Sequence, residues 1–155
     1  MRRIIWLYGR PGSGKTTISV ALRATLTARC HTVCLLDSDH MRLGPNIDLG
    51  FDDDDRSENV KRLALLALVL SARPATPYVI VSAVTPTIEQ RRVAAGICDP
   101  LLVCVMARAA KKAWLGTVFE EDEDLDQVQL ALPGLSPDHN ATVIVQHLQG
   151  EGLLE

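Results

Sequence analysis

The chain has 155 residues, which at roughly 150 residues per domain is one domain, 1–155, able to fold without disulfides or a structural metal. Hydrophobic residues make up 47% and charged ones 23%, too apolar a mixture for a disordered chain. The 16 Lys+Arg against 19 Asp+Glu leave a net charge of −3, with only 4% aromatics, so no nucleic-acid partner is expected. Leu63 to Leu70 is the longest apolar run, 8 residues, against the roughly 20 of a membrane helix. No membrane partner is expected either. Met1-Arg2-Arg3 before Ile4 to Tyr8 imitates a signal-peptide start, but the apolar run stops at Gly9 without a cleavage site, and a cytoplasmic location is expected. Cys30, Cys34, Cys98 and Cys104 lie mostly in apolar stretches and read as buried, reduced thiols. Cys30-His31-x-x-Cys34 lacks the second pair that a zinc site requires.

Ile4 to Tyr8 is short, apolar and rich in strand formers. After the break at Gly9 to Gly14, a helix opens at Thr16, with Ile18, Leu22 and Leu26 at four-residue spacing. Thr32 to Leu36 reads as a second buried strand ending on Asp37. Residues 38–57 then read as a long polar connection holding Gly44-Pro45 and the acidic run Asp52 to Asp55. Ser57 is the expected N-cap of a well-buried helix, Glu58 to Ser71. Pro74 and Pro77 precede a third strand, Tyr78 to Val84, and Pro86 suits the first turn of a helix ending near Gly96. Leu101 to Met106 is a fourth strand and Val128 to Leu132 a weaker fifth. Pro137 to Gln149 reads as a last helix, with Thr142 to Val145 also compatible with a strand. Between them, residues 107–127 break the rhythm and read either as a solvated loop or as a lid. Alternation of helices with nearly continuous apolar strands implies an α/β fold: a five-stranded parallel sheet with helices on both faces.

Gly9-Arg10-Pro11-Gly12-Ser13-Gly14-Lys15-Thr16 fits G-x-x-x-x-G-K-[ST] at every fixed position, between a predicted strand and a predicted helix. Glycines let successive backbone N–H groups converge on one anion, and the helix start adds its positive end. Gly9, Gly12, Ser13, Gly14, Lys15, Thr16 and Thr17 are therefore the expected ATP-binding residues of a P-loop NTPase fold. Lys15 reaches the outer phosphates and Thr16 offers its hydroxyl to Mg²⁺. Asp37 ends a strand and so faces the carboxyl edge of the sheet, where open α/β sheets bind ligands. Asp39 follows two residues later. One of the two carboxylates is expected to support the metal, Asp37 being a candidate ligand, and one to take a proton from an attacking hydroxyl; spacing does not divide these tasks.

Trp6-Leu7-Tyr8-Gly9, the phosphate loop, Leu35 to Arg42, Asp48-Leu49-Gly50-Phe51, Asp55-Arg56 and Glu58 to Arg62 follow one another in order and spacing. Together with Val81-Ser82-Ala83-Val84-Thr85-Pro86 and Arg91, they make residues 4 to about 95 resemble the adenylyl-sulfate kinases (APS kinases). The resemblance implies transfer of the γ-phosphoryl group of MgATP to the 3′-hydroxyl of adenylyl-sulfate. It implies that Arg42, Arg56 and Asn59 hold the phosphosulfate and ribose, that Phe51 stacks on the adenine, and that Asp39, Val84 and Thr85 also meet this substrate. Arg108 would replace the family's nucleotide-stacking arginine, Lys111 or Lys112 its lid lysine, and Phe119 its second base-stacking aromatic. The family often forms homodimers, although no residue here establishes an interface. Simple packing for Phe51, and pairing with Asp52 to Asp55 for Arg62, are the plainer readings of those side chains.

The sequence departs from the family at Ser38, where it has glycine, at Asp52, where it has serine, and in a much shortened lid stretch. Two further readings stay open on that account: a related P-loop kinase for another nucleotide or small alcohol, and a nucleotide-binding protein without catalysis.

Overall fold

The structure, a computed structural model, describes residues 3–73, 75, 77–106, 118–121, 128–133 (backbone only) and 135–154. Five parallel strands form one sheet: Ile4–Tyr8 (β1), Val33–Asp37 (β2), Tyr78–Ser82 (β3), Leu101–Met106 (β4) and Val128–Pro133 (β5), in the order β2-β3-β1-β4-β5. β1 is central and wholly buried. Its side chains alternate between two core layers, as strand geometry requires. Ile5 and Leu7 join Ile18, Leu22 and Leu26 of helix α1 (Lys15–Ala28) and Ile144 and Leu148 of α5 (Pro137–Gly150). Ile4, Trp6 and Tyr8 join Val60, Leu63 and Ala67 of α3 (Asp53–Ser71) and Ala94 and Cys98 of α4 (Ile88–Cys98). Helices thus cover both faces, as expected, and α5 is helical through Thr142 to Val145.

Residues 38–57 differ from the expected connection. Asp37 caps a short helix α2 (Ser38–Arg42), its carboxylate accepting from the N–H groups of Asp39 and His40. The N-cap of α3 is Asp52, accepting from the N–H of Asp55, so the helix begins a turn earlier than a Ser57 cap would allow. The acidic run Asp53 to Asp55 is that first turn, where negative charge complements the helix dipole. Arg62 is turned away from the run: it forms a fork to Asp48 at 2.7 and 2.9 Å and bonds Glu58 at 2.9 Å. Nor is α3 buried all round, because Leu65, Leu68 and Val69 stay exposed on its outer face. α4 starts at Ile88 under a Thr87 cap, leaving Pro86 outside it. None of the four cysteines is in a disulfide; Cys98 is buried, but Cys30 is exposed at the end of α1 with φ 64°. Burial pushes the Cys98 thiol up to about 12, leaving it protonated and inert near neutral pH.

Candidate active site

The phosphate loop leaves β1 at the carboxyl edge and turns directly into α1. Gly9 must be glycine, because a Cβ there would run into the carbonyl oxygen of Val105. Gly14 caps α1 at φ 95°, a conformation glycine adopts without strain. The Lys15 ammonium folds back over the loop, donating to the carbonyls of Gly9 and Arg10, each at 3.0 Å, and more weakly to Ser13 Oγ at 3.5 Å. Burial lowers its pKa to about 8, against the opposing pull of Asp39, Asp37 and Cys104. The loop therefore holds a cation partly stripped of water, which an anion in the cradle would stabilise.

Thr16 Oγ1 donates to Asp37 Oδ2 at 2.9 Å, while Asp37 Oδ1 accepts from the N–H of Asp39 at 2.9 Å. The Asp37 carboxylate is thus anchored between loop and α2. Thr16 and Asp37 are a hydroxyl and a carboxylate, the hard oxygen donors that Mg²⁺ takes alongside water and substrate phosphates. A cavity of about 460 Å³ opens here, walled by Gly12, Gly14, Lys15, Thr16, Thr17, Asp37, Asp39, Phe51 and Val84 among others.

A smaller cavity of about 50 Å³ adjoins it and shares Ser38, Asp39, Phe51, Ala83 and Val84. Its own wall adds Arg42, Arg56, Asn59, Thr85 and Gln90. The guanidinium of Arg42 lies 4.4 Å from the centre of the Phe51 ring and that of Arg56 5.7 Å from it. Arg56 Nε also donates to the Phe51 carbonyl at 2.6 Å. Burial, and then the neighbouring Arg42, hold the Arg56 pKa down. Two cations flanking one ring suit an anionic ligand. Phe51 is 66% exposed, so packing does not account for it.

Sequence reasoning missed Asn46 and Gln90 here. Ser38 accepts from Asn59 Nδ2 at 3.0 Å, and Asn46, 1% exposed, donates to Asn59 Oδ1 at 2.8 Å. Together they fix the Asn59 amide. Thr85 sits at φ 44°, held by Trp6 Nε1 at 2.9 Å and by Arg91, which donates to its carbonyl at 2.8 Å. Asn46 carries no pattern of its own in the sequence, and Gln90 only the Thr87-x-x-Gln90 spacing of a helix cap. Phe119 lies 5.3 Å from the guanidinium of Arg10 and 5.4 Å from that of Arg91, on the wall of neither cavity. Glu121 pairs with Arg10 at 2.7 Å. Arg108, Lys111 and Lys112 lie outside the described residues.

A family model described as adenylylsulphate kinase matches residues 1–111. The chain belongs to that family. An adenylyl-sulfate kinase from Bacillus pumilus is 42% identical over 90 residues, 58% of this chain and 45% of that protein. One from Deinococcus deserti is 41% identical over 109 residues, 70% and 59% of the two chains. The matched region thus spans about half the length of these curated relatives. Among solved structures, an APS kinase from Mycobacterium tuberculosis in complex with AMPPNP and APS superposes with a TM-score of 0.82 at 25% identity, over 96% of this chain and 98% of that one.

Proposed function

We propose that this chain is an adenylyl-sulfate kinase, moving the γ-phosphoryl group of ATP to the ribose 3′-hydroxyl of adenylyl-sulfate. One observation carries the reading: a phosphate-loop cavity and a cation-lined cavity adjoin and share Asp39 and Phe51. ATP phosphates enter the loop, and Lys15 exchanges the Gly9 and Arg10 carbonyls for phosphate oxygens. Thr16 and Asp37 would hold Mg²⁺, which neutralises charge on the phosphates. The acceptor's phosphosulfate lies against Arg42, Arg56 and Asn59, with its base on Phe51. The acceptor oxygen then bonds to the γ-phosphorus as the bond to the bridging oxygen of ADP breaks. Asp37 is committed to Thr16 and to two backbone N–H groups, whereas Asp39 lines both cavities. The proton of the hydroxyl therefore goes to Asp39.

Ser38 favours a second reading, a kinase for another nucleotide or alcohol, because its hydroxyl engages the Asn59 amide at the acceptor wall. A screen of acceptors with γ-labelled ATP and Mg²⁺ decides between them. Labelled product from adenylyl-sulfate is expected; label appearing only on another acceptor would replace this reading with the second.

A further inference from the structure

Gln90 stands on the wall of the smaller cavity and is 4% exposed, yet its Oε1 has no hydrogen-bond partner among the described residues. Native proteins seldom leave a buried amide carbonyl unpaired, since folding then strips its water without return. Its local environment offers an obvious remedy that the side chain does not take. Thr87-x-x-Gln90 is the pattern of a capping box, in which the Gln side chain returns to the N–H of the cap residue. Thr87 Oγ1 does accept from the Gln90 N–H at 3.2 Å, but Oε1 makes no reciprocal bond. Instead the amide extends toward α3, where Nε2 donates to Ser57 Oγ at 3.4 Å, a long bond. The terminal amide torsion is soft, so a ligand in the cavity can recruit it.

We propose that Gln90 is a specificity residue that reads the acceptor's base, Oε1 accepting from the 6-amino group of an adenine. The assignment rests on the nucleotide acceptor proposed above. Phe51 supplies a stacking face that any base can use, and the cations take the anionic end. An amide is the side chain whose paired acceptor and donor match adenine's amino group and adjacent ring nitrogen. A 6-oxo purine presents an acceptor where adenine presents a donor, and meets Oε1 unfavourably.

The test is calorimetric titration of AMP and of IMP into the full chain, its donor site saturated with MgADP, for wild type, Gln90→Leu and Gln90→Glu. Wild type is expected to favour AMP by about tenfold or more. Gln90→Leu should bring the two within about threefold, and Gln90→Glu, which keeps an acceptor oxygen, should retain the preference. The melting temperature of Gln90→Leu should hold or rise, since the change removes an unpaired buried acceptor; a purely structural glutamine would lower it. Equal binding of AMP and IMP by wild type, or an undiminished preference in Gln90→Leu, overturns the assignment. Turnover of adenylyl-sulfate by wild type, measured alongside, separates the two proposals. Its absence with a base preference that Gln90→Leu abolishes overturns the acceptor reading alone. Its presence without a base preference overturns the Gln90 assignment alone.

Discussion

Lys15 shows how one side chain couples burial to ligand chemistry. With its pKa lowered to about 8 by burial, roughly half of its ammonium groups are deprotonated at pH 8 and nearly none at pH 6.5. Bound phosphate restores the charge, so ATP binding should take up about half a proton at pH 8 and almost none at pH 6.5. Calorimetry in buffers of different ionisation enthalpy measures this uptake, and Lys15→Met should abolish it. The linkage also has a sign in stability. The unfolded chain binds more protons at this site between pH 8 and 10.5, so the cost of burying the Lys15 charge is relieved, and stability rises, as pH rises through that window. The two carboxylates separate in the same way. Asp39→Asn should lower kcat by about 10²–10⁴ while ATP affinity and melting temperature stay near wild type. Asp37→Asn should instead lower the melting temperature and raise the Mg²⁺ concentration needed for half-maximal rate, because Asp37 both caps α2 and holds Thr16. Steady-state kinetics at varied Mg²⁺ distinguishes the two patterns.

At the scale of elements, the strands and the phosphate loop were legible because each is a local signal: a nearly continuous apolar run, or glycines at fixed offsets before Lys15 and Thr16. The start of α3 was not. Asp52 and Ser57 are both good caps, and choosing between them requires knowing where the chain enters the helix. The acidic run Asp53 to Asp55 looked like loop because its charge is local while its role, facing the helix dipole, depends on the preceding turn. Arg62 misled for the same reason: its partner Asp48 lies beyond the run nearest to it. Two substitutions test the observed cap. Asp52→Ala should cost about 1 kcal/mol, lowering the melting temperature by about 2–4 °C for a chain of this size. Ser57→Ala should change stability by less than about 0.5 kcal/mol. Thermal unfolding followed by circular dichroism reads both.

Across the whole molecule, the sheet divides the site's labour. The phosphate loop continues into α1, which packs on one core layer, whereas Arg56 and Asn59 stand on α3 and Gln90 on α4, which pack on the other. Among the described residues, the two groups share walls at the carboxyl edge, around Asp39 and Val84. Changes on the α3 side should therefore reach the acceptor and leave the nucleotide alone. Arg56 is 9% exposed and bonds the Phe51 carbonyl, so Arg56→Ala removes a cation and also loosens the ring beside it. Losing one charge-assisted contact should cost about 1.5–3 kcal/mol, roughly ten- to a hundredfold in acceptor affinity. Phe51→Ala removes only the stacking face, at about 1–3 kcal/mol. Calorimetric titration of adenylyl-sulfate with MgADP present measures these losses, and titration of ATP alone into the same variants serves as the control. The expected pattern is weakened acceptor binding in both variants with ATP affinity within about twofold of wild type, the limit expected for sites without shared contacts. Equal loss of ATP and acceptor binding in Arg56→Ala would mean that the two core layers move as one, and that the cation on α3 supports the phosphate loop as well as the acceptor.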